Sequence, residues 1–142
     1  MLKSVKAQDY MCQSLITFSP ETDLFTAIDT LIRERITGAP VIDRKGNLLG
    51  LMTEIECLKA ILTQTYHEEE MGGKVGEYMT AETYTISHNA DIINVAEEFI
   101  NNRRRRLPVV RNGKLIGQIS RRDVLRAVQA FSKDHFKTHQ YA

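Results

Sequence analysis

The sequence predicts a mixed α/β (α+β) fold of two tandem β-α-β-β-α repeats packed as a pseudo-twofold pair. Three observations predict it. The first is a duplication. Tyr10-Met11 returns as Tyr78-Met79, 68 residues on, and in the same register Thr17 meets Thr85, Ser19 meets Ser87, Asp23 meets Asp91 and Pro40-Val41 meets Pro108-Val109. One residue is then lost in a turn, and Gly46, Leu48, Gly50 and Leu58 meet Gly113, Leu115, Gly117 and Leu125 at a spacing of 67. A turn is where two copies of one fold tolerate a deletion. The second observation is one apolar stripe at helical spacing in each copy, and the third is a pair of short apolar runs joined by turn residues.

The elements follow in order. Each copy opens on a short apolar run, Leu15-Ile16-Thr17-Phe18 or Tyr84-Thr85-Ile86, leading to Ser19 or Ser87. A helix comes next, with apolar residues at Leu24, Ala27, Ile28, Leu31 and Ile32, matched by Ile92, Val95, Ala96, Phe99 and Ile100. Spacings of three and four define one buried stripe. Two strands follow, Pro40-Val41-Ile42 with Leu48 to Met52, and Leu107 to Val110 with Leu115 to Ile119. Their connections, Asp43-Arg44-Lys45-Gly46-Asn47 and Arg111-Asn112-Gly113-Lys114, read as hairpin turns, the second with the favoured Asn-Gly pair. A closing helix runs from about Glu54 to Leu62 and from Arg121 to Phe131. Repeat 1 is thus expected over 5–64 and repeat 2 over 75–131. Between them 65–74, with Glu68-Glu69-Glu70 and Gly72-Gly73, reads as a linker, and the polar tail 132–142 is expected to fray.

Composition narrows the function. A chain of 142 residues buries a core without disulfide or metal staples, and 26% charged residues is ordinary for a globular domain. Nineteen basic against 18 acidic residues, a net +1, exclude a globally basic nucleic-acid coat and an acidic tail protein. No stretch approaches the roughly 18 apolar residues of a membrane span, and Met1 to Asp9 lacks a signal-peptide core. The two cysteines, Cys12 and Cys57, form no C-x-x-C pair, which points to a cytoplasmic protein with free thiols.

Chemistry concentrates at the strand-to-helix junctions, Gly117-Gln118-Ile119-Ser120-Arg121-Arg122-Asp123 and Gly50-Leu51-Met52-Thr53-Glu54-Ile55-Glu56. Glycine leaves room for a ligand beside the strand. The hydroxyl marks a helix start, whose free N–H groups and dipole favour an anion such as phosphate. A carboxylate three residues on can accept from a ribose diol. The competing role is a capping box, which Thr53 and Glu56 fit fully. The shorter Asp123 is a poorer reciprocal cap, and Arg121-Arg122 add anion-binding charge, so ligand binding is favoured at Ser120 and Asp123.

Arg103-Arg104-Arg105-Arg106, ahead of Leu107-Pro108, concentrate positive charge and suit a polyanion, since guanidinium forks match phosphate oxygens. A solvated helix C-terminus explains one or two of these arginines well, and four less well. Nucleic acid ranks below a small phosphate ligand, because no aromatic platform is interleaved. His135 and His139, spaced i,i+4, lack the partners that complete a metal set. No His lies near either cysteine in sequence, so neither reads as a nucleophile, and no nucleophile elbow, Walker loop or metal-hydrolase motif occurs. Nothing argues for catalysis.

Taken together, Tyr-Met near the start, Pro40-Val41 and Pro108-Val109 after the first helix, and Gly117-x-x-Ser120-x-x-Asp123 make the chain resemble a CBS-domain pair, or Bateman module, from about Val5 to Phe131. The resemblance implies a regulatory module, not an enzyme. It implies binding of an adenosine-type ligand in clefts between the repeats, AMP first, with ATP, ADP, NAD or S-adenosylmethionine as alternatives and no metal required. By that analogy Ser120 and Asp123 hold phosphate and ribose, with Arg122, Arg105 and Arg106 at the phosphates and Ile16, Ile36, Thr37, Gly38, Ala39 and Pro40 lining the adenine pocket. The second, weaker cleft takes Thr53, Glu56, Tyr84, Leu107 and Pro108, with Glu56 where the family usually has Asp. Such pairs usually form flat homodimers through their helices. Subtracting the two repeats leaves no effector domain, so a separate effector protein is expected. A ligand-free interaction scaffold is the alternative, with both junctions merely capped helices.

Overall fold

The computed structural model describes residues 1–81 and 84–140, with side chains through residue 133. After a 3-10 turn at Leu2–Ser4 the chain forms α1 (Ala7–Tyr10), α2 (Leu24–Glu34), β1 (Gly38–Ile42), β2 (Leu48–Thr53) and α3 (Glu54–Tyr66). The same succession then recurs as α4 (Val75–Tyr78), β3 (Ile86–Ser87), α5 (Ile92–Asn102), β4 (Arg106–Arg111), β5 (Lys114–Ser120) and α6 (Arg121–Gln140). Both expected helix and hairpin sets are present.

Local chemistry sets these elements. The Asp23 carboxylate accepts from the amides of Phe25 and Thr26 at 3.0 and 3.3 Å, and Asp91 accepts from Asn94 at 2.9 Å, so repeat-related aspartates cap α2 and α5. Both helices end on an arginine in the left-handed region, Arg35 at φ 55° and Arg103 at φ 50°. Each buries a narrower stripe than its spacing suggests: Leu24, Ala27 and Leu31, or Ile92, Val95 and Phe99. Ile32 and Ile100, expected in those stripes, are 73% and 77% exposed. The hairpin turns are as expected. Asn112 and Gly113 both take positive φ, 52° and 79°, and the Asp43 carboxylate accepts from the Lys45 and Asn47 amides and the Asn47 side chain.

The chain folds into two compact units that do not coincide with the sequence repeats: residues 16–83, and residues 1–15 with 84–142. In the 16–83 unit β1 pairs antiparallel with β2, and Phe18 bridges in parallel to Val41. The expected strand over Leu15 to Phe18 shrinks to that bridge, because a turn follows at once: the Ser19 amide donates to Thr22 Oγ1 and the Glu21 amide to Ser19 Oγ. In the other unit β3 pairs in parallel with β4, and β4 antiparallel with β5. Each unit has its own core, around Phe18, Leu24, Val41 and Met52 or around Ile92, Val95, Leu107 and Ile119.

The opening segment of each repeat packs on the sheet of the other. Cys12 and Gln118 exchange backbone hydrogen bonds at 2.7 and 2.9 Å, which docks α1 and its exit on β5. Leu51 and Thr80 do the same at 3.0 and 2.9 Å, docking the exit of α4 on β2. Residues 65–74, read from composition as a linker, belong to the 16–83 unit. The Gln64 amide donates to the Gly72 carbonyl at 2.7 Å and to the Tyr78 hydroxyl at 2.6 Å, and the Gly72 amide returns a bond to Gln64 Oε1. Lys74 pairs with Glu21 across 53 residues, which lowers the Glu21 pKa and raises that of Lys74. Beyond Ser132, α6 continues to Gln140, with no Gly or Pro in 132–140 to stop it, and Tyr141 and Ala142 lie outside the described residues.

Candidate functional site

In the unit that contains β5 and α6, Ser120 ends the strand and becomes the N-cap of the helix. Its hydroxyl accepts from the Asp123 amide at 3.1 Å, and the Asp123 carboxylate accepts from the Ser120 amide at 2.8 Å. That is a complete capping box. The Arg121 amide donates to the Arg105 carbonyl at 3.4 Å, so among the described residues the Arg122 amide is what remains without an acceptor in that first turn. The expectation of several outward N–H groups is corrected accordingly. Asp123 is 13% exposed, and its second oxygen pairs with Arg126 one turn on.

The equivalent junction in the other unit is the weaker cap. Thr53 Oγ1 accepts from the Glu56 amide at 3.3 Å and the Glu54 amide donates to the Thr37 carbonyl at 2.9 Å, but among the described residues Glu56 returns no bond to Thr53. The sequence reading is reversed here, since Thr53 and Glu56 were expected to form the full box and Ser120 and Asp123 the poorer one. The shorter acid reaches back with fewer torsions to freeze, and Asp9 does the same at α1, accepting from the Lys6 amide at 2.9 Å.

The glycines at these junctions are also reassigned. A Cβ at Gly50 would lie 2.2 Å from the Thr80 carbonyl oxygen, and one at Gly117 would lie 2.5 Å from Met11 Sδ and 2.9 Å from the Cys12 carbonyl oxygen. The space expected for a ligand is taken by the chain's own opening segments. Glycine is required because backbone approaches backbone.

The arginine run turns the chain from α5 into β4. Arg103 is the left-handed cap, and the Arg104 guanidinium stacks over the Tyr84 ring, 4.9 Å from its centroid. The Arg104 carbonyl accepts from Arg121 Nε at 2.9 Å. Arg105 and Arg106 are exposed, and among the described residues neither makes an ion pair with a carboxylate. Arg106 stands opposite Ser120 in the ladder, so two free guanidinium groups begin beside the Ser120–Asp123 junction. The Asp123 carboxylate uses two of about four lone-pair sites, so it keeps acceptor capacity beside its bonds to the Ser120 amide and Arg126.

The sequence-derived site residues therefore divide between the units. Tyr84, Arg105, Arg106, Leu107, Pro108, Ser120, Arg122 and Asp123 share one; Ile16, Ile36, Thr37, Gly38, Ala39, Pro40, Thr53 and Glu56 share the other. In each, the strand entry of a repeat faces its own closing helix: Arg106 lies opposite Ser120, and Gly38 opposite Thr53. Ala39, Pro40, Leu107 and Pro108 are buried, whereas Thr37, Tyr84, Arg105 and Arg106 are exposed. Two partners were missed in the sequence. Arg126 carries an i,i+3 signal that could have revealed it; the Tyr84–Arg104 stack spans 20 residues and carries none.

Among the described residues no group of three or more His, Cys, Asp or Glu side chains could hold a metal, and no helix is long and apolar enough to cross a membrane. The side chains of His135 and His139 lie outside the described part. Both thiols are free. Cys57 is buried, and that burial, with Glu54 and Glu56 nearby, raises its pKa, while Cys12 is exposed.

The comparisons with known proteins agree with this architecture. A family model described as CBS domain matches residues 7–63 and 75–130. The crystal structure of CBSX2 in complex with AMP, a protein of Arabidopsis thaliana, aligns with a TM-score of 0.78 at 29% identity, over 90% of this chain and 98% of that one. Uncharacterized protein MJ1225 of Methanocaldococcus jannaschii is 26% identical over 132 residues, 92% of this chain and 46% of its own length. Inosine-5'-monophosphate dehydrogenase of the same organism is 31% identical over 122 residues, 85% of this chain and 23% of the enzyme. The chain thus spans less than half of either relative.

Proposed function

The chain belongs to the CBS-domain family, with two repeats at 7–63 and 75–130, and from that premise we propose that it is a regulatory module, not an enzyme, that binds an adenosine-type nucleotide, AMP above ATP, as a homodimer. The observation that carries the reading is the Ser120–Asp123 junction beside Arg105 and Arg106, exposed guanidinium groups without carboxylate partners among the described residues. An acidic acceptor for the ribose and free guanidinium groups for phosphate sit at one strand-helix turn. The AMP complex of CBSX2 supports the ligand class. Free thiols support a cytoplasmic setting.

The dimer reading is supported by apolar residues left exposed on the helices: Ile32 and Leu58 in one unit, Ile100 and Leu125 in the other. A ligand that favours one arrangement of the dimer would shift its population by the difference in affinity, and a separate effector protein would read that shift. The test is titration of the purified protein with AMP, ADP, ATP and adenosine, followed by thermal unfolding. At a hundredfold excess over Kd a ligand stabilises the folded state by about 2.7 kcal/mol. No shift with any of them would sink the ligand reading.

A second reading has its own support. The closed capping box and the occupied space at Gly50 and Gly117 suit a ligand-free interaction scaffold. Mass spectrometry of small molecules released from the purified protein separates the two: a co-purifying adenylate excludes the scaffold.

A further inference from the structure

The helical grooves of the two units are built from repeat-related residues but differ in charge and in size. The α2/α3 groove has Ile28, Ile32, Leu58 and Glu54, and the α5/α6 groove has Ala96, Ile100, Leu125 and Arg121 at the matching positions. Arg103 also lines the latter, whereas its repeat-related counterpart Arg35 does not line the former. The acidic groove has a volume of about 220 Å³ and the basic one about 430 Å³, with Ala96 where its counterpart has the bulkier Ile28. Leu58 and Leu125, 60% and 65% exposed, are the apolar knobs beside these grooves.

We infer that copies of this chain associate through unlike faces, the α2/α3 face of one copy on the α5/α6 face of another, with Leu58 beside Leu125 of the partner copy. The inference rests on the homodimer reading above and adds the pairing order. Like-with-like association would set Arg121 against Arg121, and Glu54 against Glu54, at an interface that excludes water. Unlike association sets Glu54 against Arg121 and offers the fuller face around Ile28 to the roomier groove around Ala96. Charge pattern of this kind selects register and partner more than it adds affinity.

Disulfide trapping tests it. In a Cys12→Ser background, Leu58→Cys and Leu125→Cys are prepared separately, oxidised alone and oxidised as a mixture. Unlike pairing gives a covalent dimer in the mixture and little in either protein alone. Self-crosslinking of either single variant, or no crosslink in any sample, overturns it. Charge reversal supplies a second readout: Glu54→Arg and Arg121→Glu should each weaken the dimer about tenfold or more. The double variant should return close to wild type, whereas unchanged single variants overturn the pairing order. Sedimentation of the wild type separates the two levels. A monomer defeats the homodimer reading itself; a dimer that fails the trapping test defeats only the unlike pairing.

Discussion

The carbonyl oxygen of Thr80 lies 2.2 Å from the position a Cβ on Gly50 would occupy. Leu51, the next residue, exchanges both backbone hydrogen bonds with Thr80. Any side chain at Gly50 therefore has to push this exchange apart. Gly50→Ala is expected to cost about 1–3 kcal/mol, as overpacking does. Gly117→Ala should cost less, because its first obstacle is the flexible Met11 side chain. Urea unfolding of the two variants checks the order, and a Gly50→Ala protein as stable as wild type refutes the backbone-contact account.

The reciprocal cap makes Ser120 more important to the helix than Thr53. Ser120→Ala should lose about 1 kcal/mol, a typical N-cap loss, and Thr53→Ala less, since its single bond is 3.3 Å long. Thermal melts of both variants would show it. A larger loss at Thr53 would return the cap to the arrangement expected from sequence.

Asp123 has a structural and a proposed ligand role, and Asp123→Asn separates them. The amide oxygen can still accept from the Ser120 amide, and the exposed ion pair to Arg126 is what is lost, so stability should fall by no more than about 1 kcal/mol. The charged acceptor for a ribose diol is lost, and nucleotide affinity should fall by about 1.5–3 kcal/mol, tenfold or more. Calorimetric titration with AMP decides; unchanged affinity would remove Asp123 from the site.

Replacing both Arg105 and Arg106 with Gln should weaken AMP and ATP by about 1.5–3 kcal/mol per hydrogen bond lost and leave adenosine nearly untouched. Neither arginine has a carboxylate partner among the described residues, so relief of like charge should leave the apo fold at least as stable. Equal losses for all three ligands would mean that the arginines do not read phosphate.

The two thiols should differ in reactivity. Burial, then Glu54 and Glu56, raise the Cys57 pKa, so at a given pH it holds less thiolate and is also shielded. A thiol reagent near pH 8 should label Cys12 first and Cys57 only as the protein unfolds. Equally fast labelling of both would contradict the packing of α3.

At the first hairpin, bonds from the Asn47 side chain and the backbone amides of Asn47 and Lys45 lower the Asp43 pKa. A lowered carboxyl pKa means that the stabilisation is present above the unfolded value of about 3.9 and lost as pH falls through the folded value. Asp43→Ala and wild type should therefore differ at neutral pH and converge in acid.

Helices and hairpins were legible in the sequence because their causes are local. Asn112-Gly113 can adopt the positive φ pair of its turn, and the spacings of α2 and α5 name the face they bury. The candidate junctions at Ser120 and Thr53 were legible for the same reason. Which acid closes its cap was not, because that depends on how a side chain reaches back across a turn. Ile32 and Ile100 were misassigned because periodicity gives the direction of a stripe but not where the covering surface ends.

Only the tertiary structure decided which sheet receives which opening segment. Tyr10-Met11 and Tyr78-Met79 are near copies, as are the strands around Gly50 and Gly117, so the sequence describes docking within a repeat and exchange between repeats equally well. The exchange is carried by backbone bonds between segments far apart in the chain, among them Cys12 with Gln118, Ala7 with Ala90, Leu51 with Thr80 and Val75 with Thr22. Backbone groups are the same at every residue, so a hydrogen bond between distant segments leaves no mark in the sequence beyond the glycine that makes room for it.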